Sequence, residues 1–167
     1  QIAIKTCMGE MMDVTLPFKA TLLQADPDLE TKIMEVYTLK TAWYSVVGPY
    51  CLGMILGGAL EEEIKQMEKI LLNVGIAFQI KDDILGIYGD ANHLGKPINS
   101  DIEECKQTLL YAYAMQTEYK NILMNYYGKS PLKIEDIDQV KTIFTESGAE
   151  AYALNQMNAF FQKGLKD

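Results

Sequence analysis

Apolar residues recur every three to four positions along almost all of the 167 residues, and nowhere do they alternate through a strand, a turn and a second strand. That regularity restricts the chain to an all-α fold, a helical bundle. With 49% of its residues apolar, a single domain over residues 1–167 has ample material for a core. The chain starts on Gln1 with an amphipathic run at once, which is the pattern expected of a segment from a larger protein.

Charge narrows the partners. The formal net charge is −8, and no basic stripe is available to draw in nucleic acid or an anionic membrane. An acidic ligand would therefore need a local remedy, either metal ions or a few placed lysines. Cys7, Cys51 and Cys105 are odd in number and form no C-x-x-C pair, so neither a disulfide framework nor a zinc site is expected, and the cytoplasm is the default compartment.

The punctuation predicts helices over residues 1–14, 29–47, 61–85, 106–127, 134–145 and 148–165. Pro17 and Pro27 should interrupt the first connection, Asp28 should cap the second helix, and Gly48-Pro49 should kink or end it. Glu61, Glu62 and Glu63 suit the first turn of a long helix, where acids complement the dipole. A loop of about a dozen residues should follow through Gly86, Gly89, Gly95 and Pro97, and loops that long in compact domains are commonly functional. The final helix carries an apolar stripe of Ala151, Leu154, Met157, Phe161 and Leu165. Residues 42–60 are uncharged and near the length of a membrane span, with Gly53 and Gly57 at small-xxx-small spacing, but Pro49 and the glycines favour a buried helix pair instead.

The informative polar residues are those on apolar stripes. On the second helix Leu29, Ile33, Val36, Trp43 and Val47 share a face with Lys40, which must find an anion or reach water. On the long helix the stripe Ile64, Met67, Leu71, Gly75 and Phe78 continues into Asp82, flanked by Gln79. Gly75 would let another helix approach closely. A carboxylate at a helix C-terminus opposes the dipole, by roughly 0.3–1 kcal/mol, and Asp83 adds repulsion. A divalent cation between this pair and an anionic ligand removes both penalties; a solvated helix end is the plainer alternative. Lys96, Asp101 and Lys106 complete a mixed cluster suited to a polyphosphate. An EF-hand reading of Asp90, Asn92, Gly95 and Asp101 fails at Leu94 and Pro97. His93 is read as loop filler and the methionines as adaptable core.

These residues carry a resemblance. The stretch FQIKDDILGIYGDANHLGKPINSDIEECKQTL, residues 78–109, resembles the second aspartate-rich region of trans-prenyltransferases, the polyprenyl synthetase family of farnesyl and geranylgeranyl diphosphate synthases. Lys40-Thr41 resembles that family's K-T-A segment, and GEMMDV, residues 9–14, its G-Q-x-x-D element. The resemblance implies an isoprenoid-synthase fold around a central cavity, in which Mg2+ helps ionise an allylic diphosphate and isopentenyl diphosphate attacks the carbocation. By position it implies that Asp82 and Asp83 bind Mg2+, that Lys40, Lys96 and Lys106 contact diphosphate, that the oxygens of Thr41 and Gln79 stabilise developing positive charge, and that Lys40, Thr41 and Gln79 are the catalytic residues. A homodimer is implied for the parent protein.

Two departures qualify it. Gly86 stands where D-D-x-x-D would place a third carboxylate, and Cys105 replaces a common Gly or Asn. No first aspartate-rich motif is present, and every one of the 15 basic residues is lysine. The chain therefore resembles the C-terminal half of a synthase and is expected to be inactive alone. The alternatives are a non-catalytic regulatory subunit pairing with a full-length synthase and, more remotely, a membrane-associated helical protein.

Overall fold

The computed structural model describes residues 1–22, 26–89 and 100–166, and among these the regular structure is helical throughout, with no strand. Helix α1 spans Ile2–Leu22 and α2 spans Leu29–Val36. An 11-residue π-helical segment, Tyr37–Val47, continues directly from α2 and runs into α3, Gly48–Leu56. The long α4, Glu61–Tyr88, is followed by short α5 (Ser100–Glu103), α6 (Leu109–Ala114) and α7 (Lys120–Leu123), then α8 (Ile134–Glu146) and α9 (Ala149–Lys166).

The packing order is α1, π segment, α4, α9, with α6 outside α9. Glycine decides how closely three of these layers approach. A Cβ on Gly9 would lie 2.4 Å from the Lys40 backbone nitrogen, and one on Gly75 would lie 2.6 Å from the Ala42 Cα. So α1 and α4 press on the π segment from two sides, beside Lys40 and Thr41. The core is filled by Ile33, Ile80, Ile87, Leu109, Leu110 and Phe144, each essentially without exposure. Burying each is worth roughly 1.5–3 kcal/mol relative to leaving it in water.

Several expectations change. Pro17 does not end α1, which continues past it to Leu22. One turn earlier the Thr15 hydroxyl donates to the Met11 and Met12 carbonyls at 2.8 and 3.1 Å, in the manner of hydroxyls that supplement a helix ladder. Asp28 precedes α2 but makes no side-chain cap; its backbone N–H donates to Asp26 instead. Gly48-Pro49 does not break the run, because Pro49 sits in the first turn of α3, where its missing N–H costs nothing. The helix expected over 106–127 is two short ones: Thr108 caps a new start, accepting from Tyr111 N at 3.3 Å, and turns separate α6 from α7.

The inward faces also differ in phase. On α4 the large apolar residues buried are Ile76, Ile80 and Ile87, together with Asp83 and, from the expected stripe, Gly75, whereas Phe78 is 55% exposed. On α9 the buried positions are Ala149, Ala153 and Gly164, while Leu154, Phe161 and Leu165 face outward. Small residues win there because they let α9 lie close against α4: a Cβ on Gly164 would sit 3.1 Å from the Ile70 carbonyl. Residues 42–60 form no membrane span, being divided among the π segment, α3 and a turn at Gly57 and Gly58. Among the described residues no helix is long and apolar enough to cross a membrane.

Candidate functional site

Asp83 organises the polar interior. It is 2% exposed, on the face of α4 that meets the π segment, and a carboxylate so placed requires donors for its oxygens. Three are supplied. Lys106 Nζ donates to Oδ1 at 2.8 Å, Gln79 Nε2 donates to the same oxygen at 3.0 Å from one turn earlier, and the Tyr37 hydroxyl donates to Oδ2. Tyr37 in turn accepts from the backbone N–H of Leu109 at 3.2 Å, which ties the start of α6 to this centre. Burial pushes the Asp83 carboxyl up from its ordinary range, and the Lys106 ammonium and the Tyr37 hydroxyl pull it back.

The chain of contacts continues to the π segment. The Thr41 hydroxyl donates to Gln79 Oε1 at 2.5 Å, so Thr41, Gln79, Asp83 and Lys106 form one connected network. The π geometry places Thr41 there. With i→i+5 bonding the repeat lengthens, and the buried positions fall at Tyr37, Thr41, Ala42 and Val47. Lys40 is rotated toward the edge, where it meets anions on α1: Asp13 at 2.6 Å and Glu10 at 3.1 Å. Burial alone would lower the Lys40 pKa, and these two carboxylates more than reverse that. For Lys106 burial likewise opposes the charge, and Asp83 and Asp101 hold its pKa well above the ordinary lysine value.

Lys40 and Lys106 line one open cleft of about 600 Å³, together with Asp13, Asp101, Glu104 and Tyr127. Each lysine is already engaged by carboxylates, so an anionic ligand can displace them only if something else neutralises the acids. The position of Gly86 bears on this. A Cβ there would lie 2.7 Å from Asp101 Oδ2, so the bare α-carbon is what allows the Asp101 carboxylate to reach over α4 toward Lys106, at 3.4 Å.

Of the sequence-derived candidates, Thr41, Gln79, Asp83 and Lys106 are joined by hydrogen bonds, and Lys40 shares the cleft with Lys106. Asp82 does not point inward as the stripe implied; it is half-buried, and its neighbour takes the interior position because α4 turns its 76/80/87 face, not its 67/71/78 face, to the core. Lys96 and the loop residues Asp90, Asn92, His93, Gly95 and Pro97 lie outside the described residues. Sequence reasoning missed Tyr37. Its signal was available, since a tyrosine on a buried helix face needs a partner for its hydroxyl.

Among the described residues no three His, Cys, Asp or Glu side chains converge on a metal position. Such a donor set does not fit a dedicated metal cage, but Mg2+ ordinarily keeps waters and takes only one or two carboxylates plus substrate phosphates. The cleft itself is lined by carboxylates, Asp13 and Asp101 among them, beside Lys40 and Lys106, a set that fits a cation shared with a phosphate ligand better than a closed cage.

The model of the family described as polyprenyl synthetase matches residues 1–144. The chain belongs to that family. It is 40% identical over 107 residues to a geranylgeranyl diphosphate synthase of Saccharolobus solfataricus, covering 62% of this chain and 32% of that one. It is 29% identical over its whole length to a farnesyl pyrophosphate synthase of Zea mays, 47% of which is covered. A geranylgeranyl pyrophosphate synthase of Corynebacterium glutamicum, solved with isoprenyl diphosphate and magnesium, superposes on 99% of this chain and 46% of its own, at TM-score 0.87 and 28% identity. This polyprenyl synthetase chain thus spans a third to a half of the length of such relatives.

Proposed function

We propose that the chain forms the diphosphate-holding half of a trans-prenyl diphosphate synthase, the enzyme that condenses isopentenyl diphosphate with an allylic diphosphate. The observation that carries this reading is the Thr41–Gln79–Asp83–Lys106 network, which couples a hydroxyl on the π segment and a carboxamide on α4 to a lysine in the cleft. Lys40 and Lys106, joined by Lys96, would gather the diphosphate oxygens. Asp82 would hold Mg2+, which when bound supplies positive charge that stabilises the leaving diphosphate.

The chemistry asked of this chain is then electrostatic. As the allylic C–O bond breaks, negative charge collects on the diphosphate beside the lysines and positive charge on the carbon beside the Thr41 and Gln79 oxygens. The alkene of isopentenyl diphosphate attacks that carbon, and a proton leaves. Apolar walls keep water from the cation, and this chain supplies only some of them. Ile4, Met8, Met11 and Val14 on α1 are exposed, an apolar face that a further helical layer would cover. We place the first aspartate-rich motif in that layer, and a homodimer in the parent protein. A reducing compartment such as the cytoplasm suits free Cys7, Cys51 and Cys105.

The test is pyrophosphate release by the intact gene product given Mg2+, isopentenyl diphosphate and allylic diphosphates of graded length. Release with at least one length supports the reading. A second reading, a regulatory subunit, is favoured by Gly86 in place of a third carboxylate and by the exposed α1 face. No release with any length, together with a stable complex with a full-length synthase, would establish it instead.

A further inference from the structure

The Asp83 contacts impose a direction on every hydrogen in the network. The Lys106 ammonium can only donate, so Asp83 Oδ1, 2.8 Å from it, is an acceptor there. The group that Gln79 presents to it must therefore be the NH2, which turns the carboxamide oxygen toward Thr41. Thr41 has one hydroxyl hydrogen, and that oxygen takes it, at 2.5 Å. What remains on Thr41 Oγ1 is lone pairs.

We propose that Asp83 acts in this chain as a positioning residue and not as a metal ligand. Braced by Tyr37 and Lys106, it fixes the Gln79 carboxamide so that Thr41 can offer only an acceptor to whatever enters the site. Both Asp83 oxygens already accept from protein donors, Oδ1 from Lys106 and Gln79 and Oδ2 from Tyr37, and at 2% exposure the carboxylate has little approach for a hydrated cation. Holding the metal in the proposed synthase reading then falls to Asp82 alone. The ligand class this polarity favours is a cation, or a carbon acquiring positive charge; an anion or a lone-pair acceptor is repelled from Thr41. Tyr37 contributes by a route no ligand touches: its hydroxyl sits between Asp83 and the Leu109 N–H, so it fixes the carboxylate to the start of α6 as well as to α4. The use of this polarity in catalysis rests on the proposed synthase reading; the polarity itself does not.

The experiment is side-chain amide NMR on the whole 15N-labelled chain, with Tyr37→Phe and Asp83→Asn beside the wild type. In the wild type a Gln79 Nε2 proton should exchange at least about tenfold more slowly than those of exposed Gln162. Tyr37→Phe should speed that exchange severalfold without unfolding the chain. Wild-type Gln79 protons exchanging as fast as those of Gln162 would overturn the brace, and this needs no variant to fold. A second arm measures Mn2+ uptake with inorganic pyrophosphate by water-proton relaxation. Because Asp83 acts through Lys106, Asp83→Asn should change pyrophosphate binding by the same factor with and without Mn2+, while Asp82→Asn should lose about tenfold or more only in the Mn2+-dependent part. A Mn2+-dependent loss in Asp83→Asn equal to that in Asp82→Asn, with the variant still folded, would make Asp83 a ligand and overturn the proposal. If the wild type takes up no Mn2+ with pyrophosphate, the synthase reading fails on this chain, and the exchange arm decides the brace by itself.

Discussion

Replacing Gly75 by alanine should damage the molecule at its tightest point. The new methyl would stand 2.6 Å from the Ala42 Cα and 2.7 Å from its Cβ, and neither atom can rotate away. Reaching ordinary contact requires α4 and the π segment to part by about 1 Å, and because backbone has to move the cost falls in the upper part of the range for overpacking, about 2–3 kcal/mol. Alanine returns about 1 kcal/mol through its better helix propensity, leaving a net loss of about 1–2 kcal/mol. For a chain of this size that lowers the melting temperature by roughly 2–8 °C. The strain falls next to Thr41, so its bond to Gln79 should loosen as well. Gly53→Ala is the control: it lies exposed in α3 with nothing within 4 Å of the added Cβ, and should gain about 0.4–1 kcal/mol. Thermal melts of the pair decide. A Gly75→Ala chain melting at or above the wild type would refute the claim that backbone contact sets this helix spacing.

Alkali should unfold the chain steeply. Tyr37, Tyr127 and Lys106 all have native pKa values raised above their ordinary 10.0 and 10.5, by desolvation and neighbouring carboxylates for the tyrosines and by Asp83 and Asp101 against desolvation for the lysine. Above about pH 10 the unfolded chain releases protons that the native one keeps, so stability present below that pH falls as pH rises. Three such groups give a slope of about 4 kcal/mol per pH unit, readable by circular dichroism under denaturant, and a stability flat from pH 9 to 11 would contradict it. Cys105 has φ +54°, a left-handed conformation that costs a non-glycine residue roughly 1–2 kcal/mol. Cys105→Gly should therefore raise stability by about 1 kcal/mol in chemical denaturation, whereas a loss would show that packing of its side chain on Gly128 outweighs the strain.

Much of this was legible from residues whose physics is local. Glu61–Glu63 begin α4 as acids should, Gly75 does admit a close neighbour, and Lys40 does find anions, in Asp13 and Glu10. What the chain concealed lies where its own patterns were ambiguous. Apolar residues mark more than one face of α4, so periodicity alone could not choose between the 67/71/78 stripe and the 76/80/87 stripe, nor therefore between Asp82 and Asp83 as the inward acid. On α9 the fully buried positions are alanine and glycine, with Met157 only partly buried against the core, so side-chain size is no guide to the inward face. The π segment was hidden because a fixed turn of 100° was assumed where the backbone is underwound. Tyr37 was missed because its partners lie 46 and 72 residues away, and no spacing rule reaches so far.

In the proposed synthase, Asp82 and the lysines of the cleft together hold a diphosphate bridged by a divalent cation. Calorimetric titration of the chain with a non-ionising allylic thiodiphosphate, with Mg2+ and then with chelator, tests it most directly. Binding that requires Mg2+ and weakens about tenfold or more in Asp82→Asn is the predicted result. Binding that is indifferent to both the chelator and the substitution, or no binding at all, would contradict it.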